Sequence, residues 1–137
     1  WRVPCLPVRR MLALLDHLLT VSHLLLIAFA LTGWALRRLR RVHLAVMLAI
    51  AFSWLVLGAR YGWGYCFVTD WAWQIKHARG ETGLPASFVE YALERATGSD
   101  WNSALVDRVT GMAGALALIL SLAANWKTRP FRSTLRR

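Results

Sequence analysis

Acidic residues are scarce in this chain. Its 137 residues hold seven Asp and Glu against 17 Lys and Arg, a formal charge of +10. Cysteine is nearly absent: Cys5 and Cys66 form no CxxC pair, which excludes the usual thiol-redox and zinc signatures. No HExxH is present to hold a catalytic metal, and no glycine-rich loop opens a helix to cradle phosphate. The run Gly80-Glu81-Thr82-Gly83 reads as a turn between helices. No nucleophile, base and orienting group stand together as a catalytic set. The expectation is a protein that is not an enzyme and holds no metal.

Charge is also missing from long stretches, because the basic residues are segregated. Four arginines crowd Arg37 to Arg41, and five basic residues with no acid occupy Lys127 to Arg137. Between such blocks the chain, 57% hydrophobic, runs apolar for lengths that can cross a bilayer. A soluble nucleic-acid binder would spread its charge over faces alternating with a core, so a nucleic-acid partner is not expected. Basic blocks beside apolar runs set membrane orientation instead.

The runs are Met11 to Leu36, His43 to Trp63 and Trp101 to Trp126. In lipid their backbone groups must pair internally, which helices achieve. The expected fold is therefore an all-α integral membrane domain over residues 1–137. Three transmembrane helices, about 11–36, 43–63 and 101–126, are joined by an arginine loop and by a segment at 64–100, with a basic tail at 127–137. The 64–100 segment is net acidic, with Lys76, Arg79 and Arg95 against Asp70, Glu81, Glu90, Glu94 and Asp100. The positive-inside rule places the arginine loop and the tail in the cytoplasm of a bacterial inner membrane. The N-terminus and the 64–100 segment then lie in the periplasm. Arg2, Arg9 and Arg10 oppose this, a conflict that vanishes for a chain starting at Met11. The apolar run from Met11 is too long for a cleavable signal peptide. Trp34, Trp63, Trp101 and Trp126 fall at the span ends, where an amphipathic indole suits the headgroups.

The segment between the second and third spans is expected to form a cap of two short amphipathic helices. Thr69 or Asp70 can cap the first, which runs to about Arg79 with Gly80 as its stop. Trp71, Ile75 and Ala78 then share one face, and Asp70, Gln74 and His77 another. Ser87 and Glu90 have capping-box spacing for the second helix, which ends near Thr97 and Gly98. Cys66, Thr69, Asp70, Trp71 and Trp73 are the residues singled out on this cap. A Cys5–Cys66 bridge and a free Cys66 both remain open.

Ionisable groups inside spans are costly and mark partners or cavities. Asp16, Thr20 and His23 share one helix face. Arg60, Asp107 and Arg108 fall at the same depth as Asp16, so Asp16 is expected to pair with Arg108 or Arg60. That cluster locks helices together, or it relays a proton. His17 and His23 are the candidate ligands of a haem or chlorin, with Ala13 spaced to leave room beside His17. His43, at the other end of its span, matches neither in depth. On the third span Gly111, Gly114 and Ala115 offer small residues that let another helix approach.

Specific stretches resemble a small bacterial membrane family catalogued as domain of unknown function 2784. They are His23 in HLLLIAFALTG, His43 in RVHLAV, and CFVTDWAWQIKHARG followed by FVEYAL, within about Met11 to Trp126. Many members have Cys-Pro-Leu-Thr where this chain has Cys66-Phe67-Val68-Thr69, so the match is partial there. The resemblance implies the helical membrane fold and marks His23, His43, Cys66 and Thr69; it implies no activity.

Three functions compete. The first is a non-catalytic accessory subunit packed against other integral subunits of a larger inner-membrane complex, such as a photosynthetic or respiratory one. The second is an electron-transfer subunit binding haem or chlorin through His17 or His23. The third is a small transporter or enzyme using the Asp16–Thr20–His23 stripe.

Overall fold

The computed structural model describes residues 6–61 and 66–126, and the side chains of all but residues 6 and 61 among them. These residues are helical, with no strand among them. The order is α1 (Leu6–Thr32), a 3-10 turn (Gly33–Ala35), α2 (Arg40–Phe52), a π-helical stretch (Ser53–Leu57), α3 (Gly58–Tyr61), α4 (Phe67–Ala78), α5 (Phe88–Thr97) and α6 (Ser103–Trp126). Three stretches are long and apolar enough to cross a membrane: Pro7–Ala35, Arg40–Arg60 and Ser103–Trp126. α1 begins five residues ahead of the expected Met11, with Pro7 in its first turn, where a missing N–H costs no helical bond. Cys5, Trp63 and the basic tail at 127–137 lie outside the described residues.

α1, α2 and α6 form the bundle, α4 packs on α1, and α5 packs on α6. The chain turns back sharply between α1 and α2, so α2 runs opposite to α1 and α6. The 3-10 turn makes this corner, held by Leu36 N–H to Gly33 C=O at 3.1 Å and by Arg40 Nε–H to Trp34 C=O at 3.2 Å. Halfway along, the π stretch widens the α2–α3 rod at Trp54, whose ring lies over Gly114 of α6.

The two short helices form, with one boundary shifted. α4 starts at Phe67 rather than after Thr69, and Cys66 in extended conformation precedes it without a side-chain cap. Gly80 ends it at φ 89°, as a left-handed stop requires. α5 matches the reading closely: Ser87 Oγ accepts the Glu90 N–H at 3.2 Å, and Gly98 closes the helix at φ 68°.

Little of the apolar surface is covered within the chain. Between 11% and 22% of each spanning window is buried, so most of each long helix is left uncovered by the rest of the described chain. What is buried is unusually polar: Asp16, His23, His43, Ser53, Thr69, Lys76, Glu90 and Ser121 accompany Met47, Ala72, Phe88, Val106 and Ala117.

Candidate functional site

α4 meets α1 through the face Thr69–Ala72–Lys76, residues spaced three and four apart and all buried. Trp71, on the face it shares with Ile75 and Ala78, lies exposed. Helix rotation places Lys76 opposite Asp16, and Lys76 Nζ donates to Asp16 Oδ1 at 2.6 Å. The Arg79 guanidinium, one turn on, pairs with Asp16 Oδ2. Both oxygens of a buried carboxylate are thus matched to cations, which a charge at this position requires. The expected partners are corrected here: Arg60 and Arg108 are exposed, and Asp16 pairs with neither.

Around this clamp the α4–α5 segment builds a small aromatic core. Lys76 Nζ sits 4.6 Å from the centre of the Tyr91 ring. Trp73 contacts Tyr91 edge-on at 5.2 Å and donates its indole N–H to Pro85 C=O at 2.8 Å. Phe88 stacks flat on His23 of α1 at 4.0 Å. Glu81 lies 3.4 Å from both Arg79 and Arg95. The segment is therefore fastened along α1 from Asp16 to His23, about 10 Å of helix at 1.5 Å per residue.

Burial is the largest single influence on Lys76 and pulls its pKa down. The hydrogen bonds and charges of Asp16 and Tyr91 together outweigh it and raise the group above its ordinary 10.5. A proton held more tightly in the folded chain stabilises it at every pH below 10.5, and that contribution disappears as pH rises beyond. The expected melting temperature of the detergent-solubilised protein is insensitive to Lys76 up to about pH 10 and drops above it. Lys76→Met should lack that alkaline step; an identical drop in both proteins would show that another group is responsible.

A second polar cluster lies at the corner end of the bundle. His43 of α2 is fully buried, with Nε2 2.9 Å from Ala30 C=O and Nδ1 2.8 Å from Ser121 Oγ. A carbonyl can only accept, so Nε2 donates its N–H to Ala30, while Nδ1 meets the Ser121 hydroxyl. Asn125 extends the contact, donating to Arg40 C=O at 3.1 Å and to Ser121 C=O at 2.8 Å. One imidazole thereby joins α1, α2 and α6. Gly33 makes room for it: a Cβ there would lie 2.5 Å from His43 Cδ2 and 2.8 Å from Phe29 Cε2.

A family model described as "Protein of Unknown function (DUF2784)" matches residues 13–126. The chain belongs to the DUF2784 family. No curated protein and no solved structure matches it.

In this DUF2784 protein the residues expected to matter fall into different settings. His23 is buried, its Nδ1 has no hydrogen-bond partner, and Phe88 covers one ring face. A macrocycle could take this nitrogen as a ligand only by displacing neighbours. His17 is exposed, with Nδ1 at 2.9 Å from the Ala13 carbonyl of its own helix. Thr20 is half-buried between Asp16 and His23. Cys66 is a half-buried free thiol, Thr69 is buried against α1, and Asp70 accepts from Gln74 at 2.9 Å. Gly114 packs inside the bundle, whereas Gly111 and Ala115 do not share its contact. No group of three or more potential metal ligands occurs among the described residues.

Lys76, Gly33 and Ser121 were not singled out by the sequence. A signal existed for Lys76, the lone lysine at helical spacing from Thr69 and Ala72. Ser121 stands in register with Gly114 and Ala117, which reads as a small-residue face rather than a hydrogen-bonding one. Glu90 carries a double role: as the third helical residue its N–H meets Ser87, but its side chain turns away from the capping box. Glu90 Oε1 accepts from Ser103 Oγ at 2.6 Å, and Oε2 is buried without a partner.

Proposed function

We propose that this protein is a non-catalytic accessory subunit of a larger complex in the bacterial inner membrane. The three apolar stretches would span the bilayer, with the arginine-rich corner in the cytoplasm and α4–α5 as a periplasmic cap. One observation carries the reading: the deep polar side chains tie helices to one another. Asp16 with Lys76 and Arg79 fastens α4 to α1, His43 with Ser121 joins α2 to α6, and Glu90 with Ser103 holds α5 to α6. Such pairs stiffen a small bundle and leave its outer surface for partners. That surface is extensive, given how little of each span is covered within the chain.

Extraction from host membranes in mild detergent, followed by native mass measurement, tests this. The expected result is a mass far above one chain, with other integral subunits present. Recovery of the protein alone, or only with copies of itself, would overturn the accessory reading.

A further inference from the structure

α6 carries small residues along one side, and the fold covers only part of their length. Gly114 lies beneath Trp54, where a Cβ would touch the ring at 3.8 Å, and Ala117 and Ser121 are buried on the same side. One turn earlier, beyond this contact, a Cβ at Gly111 would meet nothing within 4 Å. There Ala104, Asp107, Arg108, Gly111 and Met112 line a shallow cleft of about 500 Å³. Ala104, Arg108 and Met112 form one ridge at four-residue spacing; Asp107, Gly111 and Ala115 form the next. Asp107 and Arg108 thus stand on the two ridges that border the groove.

Among the described residues neither Asp107 nor Arg108 makes an ion pair. Arg108 lies five residues beyond Ser103, about 8 Å into the helix at 1.5 Å per residue, where water competes less for charged groups.

We propose that this groove is the interface of a symmetric homodimer, in which Asp107 of each copy pairs with Arg108 of the other. A second copy in the same membrane has the same orientation and depth. A two-fold axis along the membrane normal then brings acid opposite base twice, with no other requirement. An anionic lipid headgroup would satisfy Arg108 and repel Asp107. A foreign helix would need both an acid and a base at this depth. Gly111, one turn from the charges, lets the two backbones approach in the manner of small-xxx-small pairs.

The full chain reconstituted in phosphatidylcholine vesicles provides the test, with self-association followed by fluorescence transfer across a range of protein-to-lipid ratios. The wild type is expected to dimerise. Asp107→Arg gathers four cations at the interface and Arg108→Asp four acids, so each alone should associate at least about tenfold more weakly. Mixed together, the two variants face Arg with Asp at both contacts and should pair as well as wild type. That restoration also shows that both variants are folded. A wild type that stays monomeric at every ratio overturns the proposal. So do single variants that dimerise undiminished, or a mixture that recovers nothing. A homodimer lacking other subunits in native membranes would leave this inference standing while removing the accessory function.

Discussion

Asp16→Ala should release the α4–α5 segment from α1. The substitution leaves the Lys76 ammonium, whose side chain is 2% exposed, without an acid. Breaking a buried ion pair by removing one partner costs about 3–5 kcal/mol, because the remaining charge stays buried. Arg79 suffers less, since its side chain is 27% exposed and Glu81 stands 3.4 Å away. The loss should register as a marked fall in melting temperature in detergent. Faster amide exchange confined to α4 and the start of α5 should accompany it. Removing both charges, as in Asp16→Leu with Lys76→Met, should recover most of the stability, because an apolar pair of similar volume needs no compensation. Unchanged melting and exchange in Asp16→Ala would mean that the clamp does not hold the segment.

Gly33→Ala comes second, and its interest lies in one methyl group. A Cβ at 2.5 Å from His43 Cδ2 cannot be accommodated without moving the imidazole or the corner. Overpacking of this kind costs about 1–3 kcal/mol. Displacing His43 would add a similar amount, by orphaning the Ala30 carbonyl and the Ser121 hydroxyl. The control is Gly111→Ala, where a Cβ meets nothing within 4 Å. In a helix interior that change should stabilise by roughly 0.5–1 kcal/mol, measured on monomeric protein. Two Gly→Ala variants with opposite signs would confirm the corner packing; equal effects on melting would contradict it.

Both predictions concern contacts between residues far apart in the chain. The Asp16–Lys76 bond joins positions 60 apart, and His43–Ser121 joins positions 78 apart. Asp16 was visible as a costly charge in an apolar run, and its need for a cation followed from that alone. Which cation depends on how α4 is rotated about its axis and how far along α1 it lies. Depth alone favoured Arg60 or Arg108, because α4 had no assigned place against α1.

Other features were legible because they are local. The three apolar stretches follow from hydropathy and length, and the family assignment from stretches such as RVHLAV and FVEYAL. Ser87 and Gly98 delimit α5 through chemistry confined to a few residues, and Gly80 stops α4 by the same backbone rule. The start of α4 was misplaced because Thr69, a good capping residue, lies instead inside the helix on the face turned to α1. Composition and periodicity by themselves thus determined, over the described residues, a helical fold with three stretches of membrane-spanning length and the short helices α4 and α5 between the second and third. Tertiary structure decided which polar groups meet. Pairing is a property of helix rotation and axial offset, and these are set when Gly33 admits His43, Trp54 settles on Gly114 and Lys76 reaches Asp16.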